Sequence, residues 1–289
     1  MALFRNRGDN PVGADYRVDL PELRKRLRAH VAVNNAQIDG FPLILSIVGD
    51  PGVGKTYNIR QFARTDKVAL QEISSSALAH HKEGMALFPM IRHYRDCGIV
   101  SEDQPAMLLI DDFDRSIASK FANVGHTIHS QLVVGFLMDL CDNPYSLPDE
   151  ERRISVDSRR VPIIMTGNDF SGLDAALTRP QRMTILKFEP THKDKLDMMR
   201  AAFSINGVAV LSDEHLAALE RYFDGQSIAF YSDIVAEHLS DAMGKANHSF
   251  LGSAPDALRQ FLAQEMIALN LKAAKILGER IARRTANRK

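Results

Sequence analysis

The chain has 289 residues, 45% of them hydrophobic, with two cysteines and no tryptophan. At roughly 100–200 residues per domain this makes one large or two medium domains, and 36 Lys and Arg against 36 Asp and Glu leave no global field to grip a polyanion. Two cysteines are too few for a disulfide framework, the first residues lack the apolar core of a signal peptide, and no apolar run nears the roughly 18–20 residues that cross a bilayer. The expectation is a soluble, cytoplasmic globular protein without membrane contact.

Residues 1–18, with Gly8, Pro11 and Gly13 among charges, read as a flexible lead-in. Leu20, Leu23, Leu27 and Val31 then recur at helical spacing, opposite Arg24, Lys25, Arg26 and Arg28, and predict a helix over 20–33. Phe41–Val48 is a short apolar run suited to a strand buried on both faces, ended by Asp50, Pro51, Gly52 and Gly54 and followed by a helix over 55–64. Strand and helix continue to alternate: strands over 68–73, 106–110, 161–165 and 185–188, helices over 85–96 and 129–141, with loops at 101–105, 114–125 and the charged stretch 143–160. Alternation of this kind predicts an α/β fold, a parallel sheet flanked by helices. After Pro190 the pattern turns to helices alone, over 194–203, 213–223, 228–243 and 254–284. The expected division is a lead-in (1–18), an α/β nucleotide-binding domain (19–189) and an all-α lid domain (190–289).

Gly49-Asp50-Pro51-Gly52-Val53-Gly54-Lys55-Thr56 matches G-x-x-x-x-G-K-[ST] between a predicted buried strand and a predicted helix, the context of a phosphate-binding loop. Glycines let backbone N–H groups curl around an anion, and the helix opening at Lys55 points its positive end at it. Lys55 adds charge for the β- and γ-phosphates of ATP, and the Thr56 hydroxyl is a ligand for Mg²⁺. Leu108–Asp112 is an apolar strand delivering two carboxylates at its C-terminal end, where open α/β sheets bind ligands. Asp111 is placed on Mg²⁺, directly or through water, and Asp112 on the attacking water. Such acidic pairs also serve as helix caps. A third strand end, Ile163–Asp169, sets Asn168 beside the γ-phosphate or the lytic water, with Asn168 or Asp169 capping the next turn as the alternative.

Phosphate loop, acidic strand end, polar strand end, Arg179 and Arg182, then a helical region is an order that resembles the AAA+ ATPases, a P-loop NTPase class. Within them, Val161–Ser171, Arg179–Met183, Phe188–Thr191, Phe41–Leu45, Cys141–Pro144 and the Phe223–Phe230 element with its Gly-Gln-Ser-Ile core are similar to Rubisco activase. The resemblance runs from about Phe41 to Phe230. It implies an ATP-hydrolysing remodelling protein that acts as a homo-oligomer, a hexameric ring, on a protein partner such as Rubisco. Arg179 and Arg182 would then be arginine fingers reaching a neighbour's γ-phosphate, and the segments Leu78–Gly84 and Ser119–Asn123 central pore loops, or else plain solvated loops.

The departures bear on function. Only about forty residues precede the first predicted strand, so the N-terminal domain of activases is expected to be absent. Where the family carries lid arginines after Gly-Gln-Ser-Ile, this chain has Val235 and Glu237, and the family's Asn-Asp strand end is Asp111-Asp112 here. Asp112 is one methylene shorter than the glutamate common at that place, which favours slow hydrolysis or a bridging water. Two alternatives follow: an ATP-switched assembly scaffold, and a nucleic-acid-linked motor using the basic tip Lys275, Arg280, Arg283, Arg284, Arg288 and Lys289, which also reads as a solvated helix end. His126 with His129 and the pair His80-His81 lack a third ligand at usable spacing, and Cys97 and Cys141 read as buried, inert thiols.

Overall fold

A computed structural model of the chain describes residues 20–74, 78, 87–114, 124–148, 155–205, 208–245 and 255–287. It divides into two compact units, one with Pro21–Asp50 and Lys55–Glu189, the other with Pro51–Gly54 and Pro190–Lys289.

The first unit is built on five parallel strands: β1 (Ile44–Val48), β2 (Ala69–Ser74), β3 (Ala106–Asp111), β6 (Ile163–Gly167) and β7 (Met183–Lys187). Their order across the sheet is β2-β3-β6-β1-β7. Every β6 residue and the first four of β1 are buried, as are the first five of β3, which is why these strands read as continuous apolar runs. β7 lies at an edge and keeps only Met183 buried. The helices α1 (Pro21–Asn35), α2 (Lys55–Thr65), α3 (Leu87–Val100) and α4 (Val124–Asp142) connect or flank them, with α3 against β2 and β3, α2 against β2, and α1 against β3. Tyr94, Met90, Phe113, Leu137 and Met165 are fully buried at the centre.

The stretch 143–160, expected as loop, carries an antiparallel pair, β4 (Ser146–Pro148) with β5 (Ser155–Asp157), in which Leu147 faces Val156. Leu147 is only 1% exposed and joins the main core, so one apolar residue seats a segment whose charges disguise it. The helix expected from His129 begins five residues earlier, at Val124.

The end of α1 is tied to the sheet by side chains rather than by backbone. Asn35 donates to the Ala106 carbonyl (2.9 Å) and accepts its N–H (3.0 Å), acting as a sheet partner for the first residue of β3. Asn34 accepts from the buried Arg160 at 2.7 Å. Beside them His30 lies against the backbone of Leu43 and Ile163, and burial pushes the imidazole down to about 4. A histidine held neutral contributes stability above its unfolded value near 6.5, and that contribution is lost as pH falls toward 4. Urea unfolding at pH 7 and pH 5 should therefore show a loss of about 2 kcal/mol in the wild type that is missing from a His30→Asn variant. Equal losses in both would assign the acid sensitivity elsewhere.

In the second unit the helices are α5 (His192–Ala202), α6 (Asp213–Tyr222), α7 (Ile228–Lys245), α8 (Pro255–Ala268) and α9 (Leu271–Ala286). Thr191 and Asp194 close a reciprocal capping box on α5, and Ser212 caps α6. The expected run of helices alone is interrupted by a short ladder, β8 (Ser204–Ile205) with β9 (Val208–Ala209), in which Ile205 is buried. The single helix expected over 254–284 is two. Asn270 accepts from the Ala273 N–H at 3.0 Å and starts α9 afresh, a break that periodicity cannot register because the capping residue lies between two leucines. α7 packs against α5, α8 and α9. Gly278 lets α9 approach closely, since a Cβ there would lie 2.4 Å from the Phe223 ring. Within the same unit the Gly52 carbonyl accepts the Ala229 N–H at 3.0 Å. Among the described residues no helix is long and apolar enough to cross a membrane.

Candidate functional site

The site forms where β1, β3 and β6 end side by side. β1 stops at Val48, and the Gly49 N–H donates to the Gly167 carbonyl at 3.3 Å. A Cβ on Gly49 would lie 2.4 Å from the Phe188 carbonyl oxygen, so the loop's first residue must be glycine. Gly52 (φ +74°) and Gly54 (φ +95°) take the left-handed backbone that curls the loop, and α2 opens at Lys55.

Lys55 is 6% exposed, and its ammonium meets three acceptors: the carbonyls of Gly49 (2.6 Å) and Asp50 (3.0 Å) and Asn168 Oδ1 (3.0 Å). Three donors are thereby matched. Burial lowers its pKa, against the opposing pull of Asp112, Asp114, Asp50 and Asp111.

One residue further, Thr56 Oγ1 donates to Asp111 Oδ1 at 2.5 Å, and Thr166 Oγ1 donates to the same oxygen at 2.6 Å. Arg60 stands 3.9 Å from the other carboxylate oxygen. Thr56 and Asp111 are hard oxygen donors in direct contact, a set that suits Mg²⁺ better than any softer ion. Asp112 follows with φ +54°, a left-handed backbone that costs a non-glycine residue about 1–2 kcal/mol. It is stabilised where its N–H donates to Thr166 Oγ1 at 3.0 Å. Thr166 thus touches both acids of the strand end. Sequence reasoning assigned it no part, although its place on a strand ending beside β3 is a signal that it faces them.

At the end of β6 the two alternatives separate by residue. Asp169 caps, accepting from Ser171 N and Oγ, both at 2.8 Å, while Asn168 turns its amide oxygen to Lys55. The Asn168 N–H donates to Asp114 Oδ2 at 2.8 Å, a residue that sequence reasoning also passed over.

Lys55, Thr56, Asp111 and Asn168 therefore meet around one ammonium and one carboxylate, with Asp112 directly following. Arg179 and Arg182 do not join them. They precede β7, whose first residue Met183 is level with Ile44 at the start of β1, whereas the phosphate loop follows its end. Arg182 is held by Asp142 (2.9 and 2.5 Å) and the Ala176 carbonyl (2.9 Å), and it keeps the Asp142 carboxyl below the usual range. Arg179 is exposed. Both line a concavity of about 480 Å³ with Phe41, Tyr145 and Arg160.

Val235 is buried, and Glu237 pairs with Arg280 (3.2 Å) and Arg284 (2.8 Å). Arg280 also meets Asp241 (2.8 Å), Arg283 lies 3.7 Å from Glu279, and Lys275 lies over the Tyr222 ring. Much of the basic tip is thus matched within its own unit, which weakens it as a grip for phosphates; Arg288 and Lys289 lie outside the described residues. So do the candidate pore segments, except Leu78, and the pair His80-His81. Among the described residues no three metal-ligating side chains cluster. Burial pushes the Cys141 thiol up to about 12 and Cys97 higher still, so neither is reactive near neutral pH.

The chain is 32% identical over 216 residues to ribulose bisphosphate carboxylase/oxygenase activase of Nostoc sp., covering 73% of this chain and 51% of that protein. It is 30% identical to the chloroplastic activases of Zea mays (219 residues, 75% of this chain, 50% of the relative) and Oryza sativa subsp. japonica (243 residues, 82% and 50%). The chain therefore spans about half the length of these relatives. Residues 45–190 match the model of the ATPase family associated with various cellular activities (AAA). That span takes in all three strand ends that meet at Lys55, and the chain belongs to the AAA family of ATPases.

Proposed function

We propose that this chain binds Mg²⁺ and ATP, hydrolyses the γ-phosphate and uses the cycle to remodel a protein partner as a ring of identical subunits. The observation that carries the reading is the meeting of Lys55 with Asn168 beside the Thr56–Asp111 pair. In this reading the backbone N–H groups of Gly49–Thr56 cradle the phosphates, and phosphate oxygens displace loop carbonyls as partners of Lys55. Thr56 and Asp111 would hold Mg²⁺, which would supply charge neutralisation at the phosphates. Asp112 orients and deprotonates the attacking water. Asn168, bonded to Lys55, senses loss of the γ-phosphate through the ammonium it shares. In this reading Arg179 and Arg182, which precede β7 at the end of the sheet away from their own phosphate loop, act on the γ-phosphate of a neighbouring subunit.

The test is phosphate release from ATP with and without Mg²⁺, beside a sizing run with and without ATP. Mg²⁺-dependent release with ATP-dependent assembly supports the reading; no release at any protein concentration sinks it. The relatives are named for ribulose bisphosphate carboxylase/oxygenase, so that enzyme is the first partner to add, and an Asp112→Asn variant held with ATP is the form with which to capture others. A second reading, an ATP-switched scaffold, is favoured by Glu237, whose carboxylate pairs with Arg280 and Arg284 where the family carries a lid arginine. Assembly on ATP with turnover far slower than disassembly would select it.

A further inference from the structure

We propose that Asp114 is the positioning residue of this site: its carboxylate holds the turn after β6 in register with the turn after β3, and so aims Asn168 at Lys55. The inference rests on the ATPase reading above and adds a residue to it.

Asp114 Oδ2 accepts the Asn168 N–H at 2.8 Å and the Asp169 N–H at 3.4 Å. These two N–H groups follow the last β6 residue, Gly167, so no sheet partner can hold them in line with β3. The other oxygen, Oδ1, is buried and has no hydrogen-bond partner among the described residues. The two turns are clamped a second time by apolar contact. Phe113 is fully buried and meets Phe170 edge to face, with ring centroids 6.4 Å apart. Gly167 leaves the room that the Phe170 ring occupies, since a Cβ there would fall 2.2 Å from it. The aromatic pair sets the distance between the turns; the charged bond from Asp114 sets the direction of the Asn168 backbone, and hence of the amide oxygen 3.0 Å from Lys55. Asp114 touches neither phosphate nor water in this scheme and acts only through Asn168.

A purely structural cap and a positioning residue differ in what they move. Asp114→Ala should lower kcat about 10- to 100-fold with the KM for ATP changed less than about 3-fold, the size expected when a catalytic group is displaced by about 1 Å. Asp114→Asn keeps an acceptor oxygen and should recover most of the rate. In an Asn168→Ala background, Asp114→Ala should cost nothing further, because the group it aims is gone. An additive loss there, or a loss in KM alone, overturns the proposal. Backbone amide exchange at Asn168 and Asp169 gives a readout independent of turnover: both amides should exchange faster in Asp114→Ala, and unchanged exchange overturns the proposal as well. A wild type that hydrolyses nothing defeats the ATPase reading, and the exchange measurement still decides the Asp114 contact.

Discussion

Lys55→Ala should abolish ATP turnover, with a fall of at least about 100-fold in kcat/KM, since a single buried cationic donor aimed at developing phosphate charge is worth that much or more. The structure adds a reason beyond charge. Lys55 is the hub of the loop, bonded to Gly49, Asp50 and Asn168, so its removal also takes a partner from two loop carbonyls and an amide oxygen, of which the Gly49 carbonyl is buried. The loss should therefore appear in binding as well as in rate. ATP at 100 times its Kd stabilises a folded protein by about 2.7 kcal/mol, and the corresponding rise in Tm should vanish in the variant. Lys55→Arg separates the two contributions: it keeps the charge but not the compact ammonium, and should bind nucleotide while turning over slowly. Wild-type hydrolysis by Lys55→Ala would sink the site.

Arg182→Ala should lower kcat about 1,000-fold while leaving ATP affinity nearly intact, the signature of a finger that touches charge only in the transition state. Because Arg182 stands at the far end of the sheet from its own phosphate loop, the effect should pass between subunits. Mixing variant with wild type at fixed total protein should depress activity more steeply than simple dilution; a linear response would place Arg182 in its own subunit's chemistry. Its pairing with Asp142 supplies the control. Asp142 is largely exposed, so that ion pair contributes at most about 1 kcal/mol to stability. Asp142→Asn should lower Tm little and free the guanidinium, leaving turnover intact. Equal losses in Asp142→Asn and Arg182→Ala would mean that the pair, rather than the finger, is what the site needs. Arg179→Ala, at an exposed position, tests the second arginine without that complication.

Much of the α/β unit was legible because its three central strands, β1, β3 and β6, are buried on both faces. Burial turns Ile44–Val48, Ala106–Ile110 and Ile163–Gly167 into apolar runs that punctuation by Gly, Pro and Asp then ends. The phosphate loop was legible for a related reason: its glycines are required by backbone contacts, as the Phe188 carbonyl beside Gly49 demonstrates. The elements that escaped are those whose signal is a single residue. Leu147 seats a strand pair inside a charged stretch, and Asn270 divides one apparent helix in two.

Within the site, the sequence by itself determined which chemical groups are present: a lysine and a threonine at the head of a helix, two carboxylates after one strand, an amide after another. Spacing along the chain sufficed for these because loop, strand and helix are local and each residue type has few places to serve. Only the tertiary structure decided how the strand ends meet. β3 and β6 are neighbours in the sheet although some fifty residues separate them, and that adjacency alone makes Thr166 a partner of Asp111 and Asp112 and makes Asp114 a partner of Asn168. It also decided that Asn168 faces Lys55 while Asp169 caps, and that Arg182 is tied to Asp142. Hydrogen bonds between side chains distant in sequence depend on strand order and register, and no local pattern encodes either.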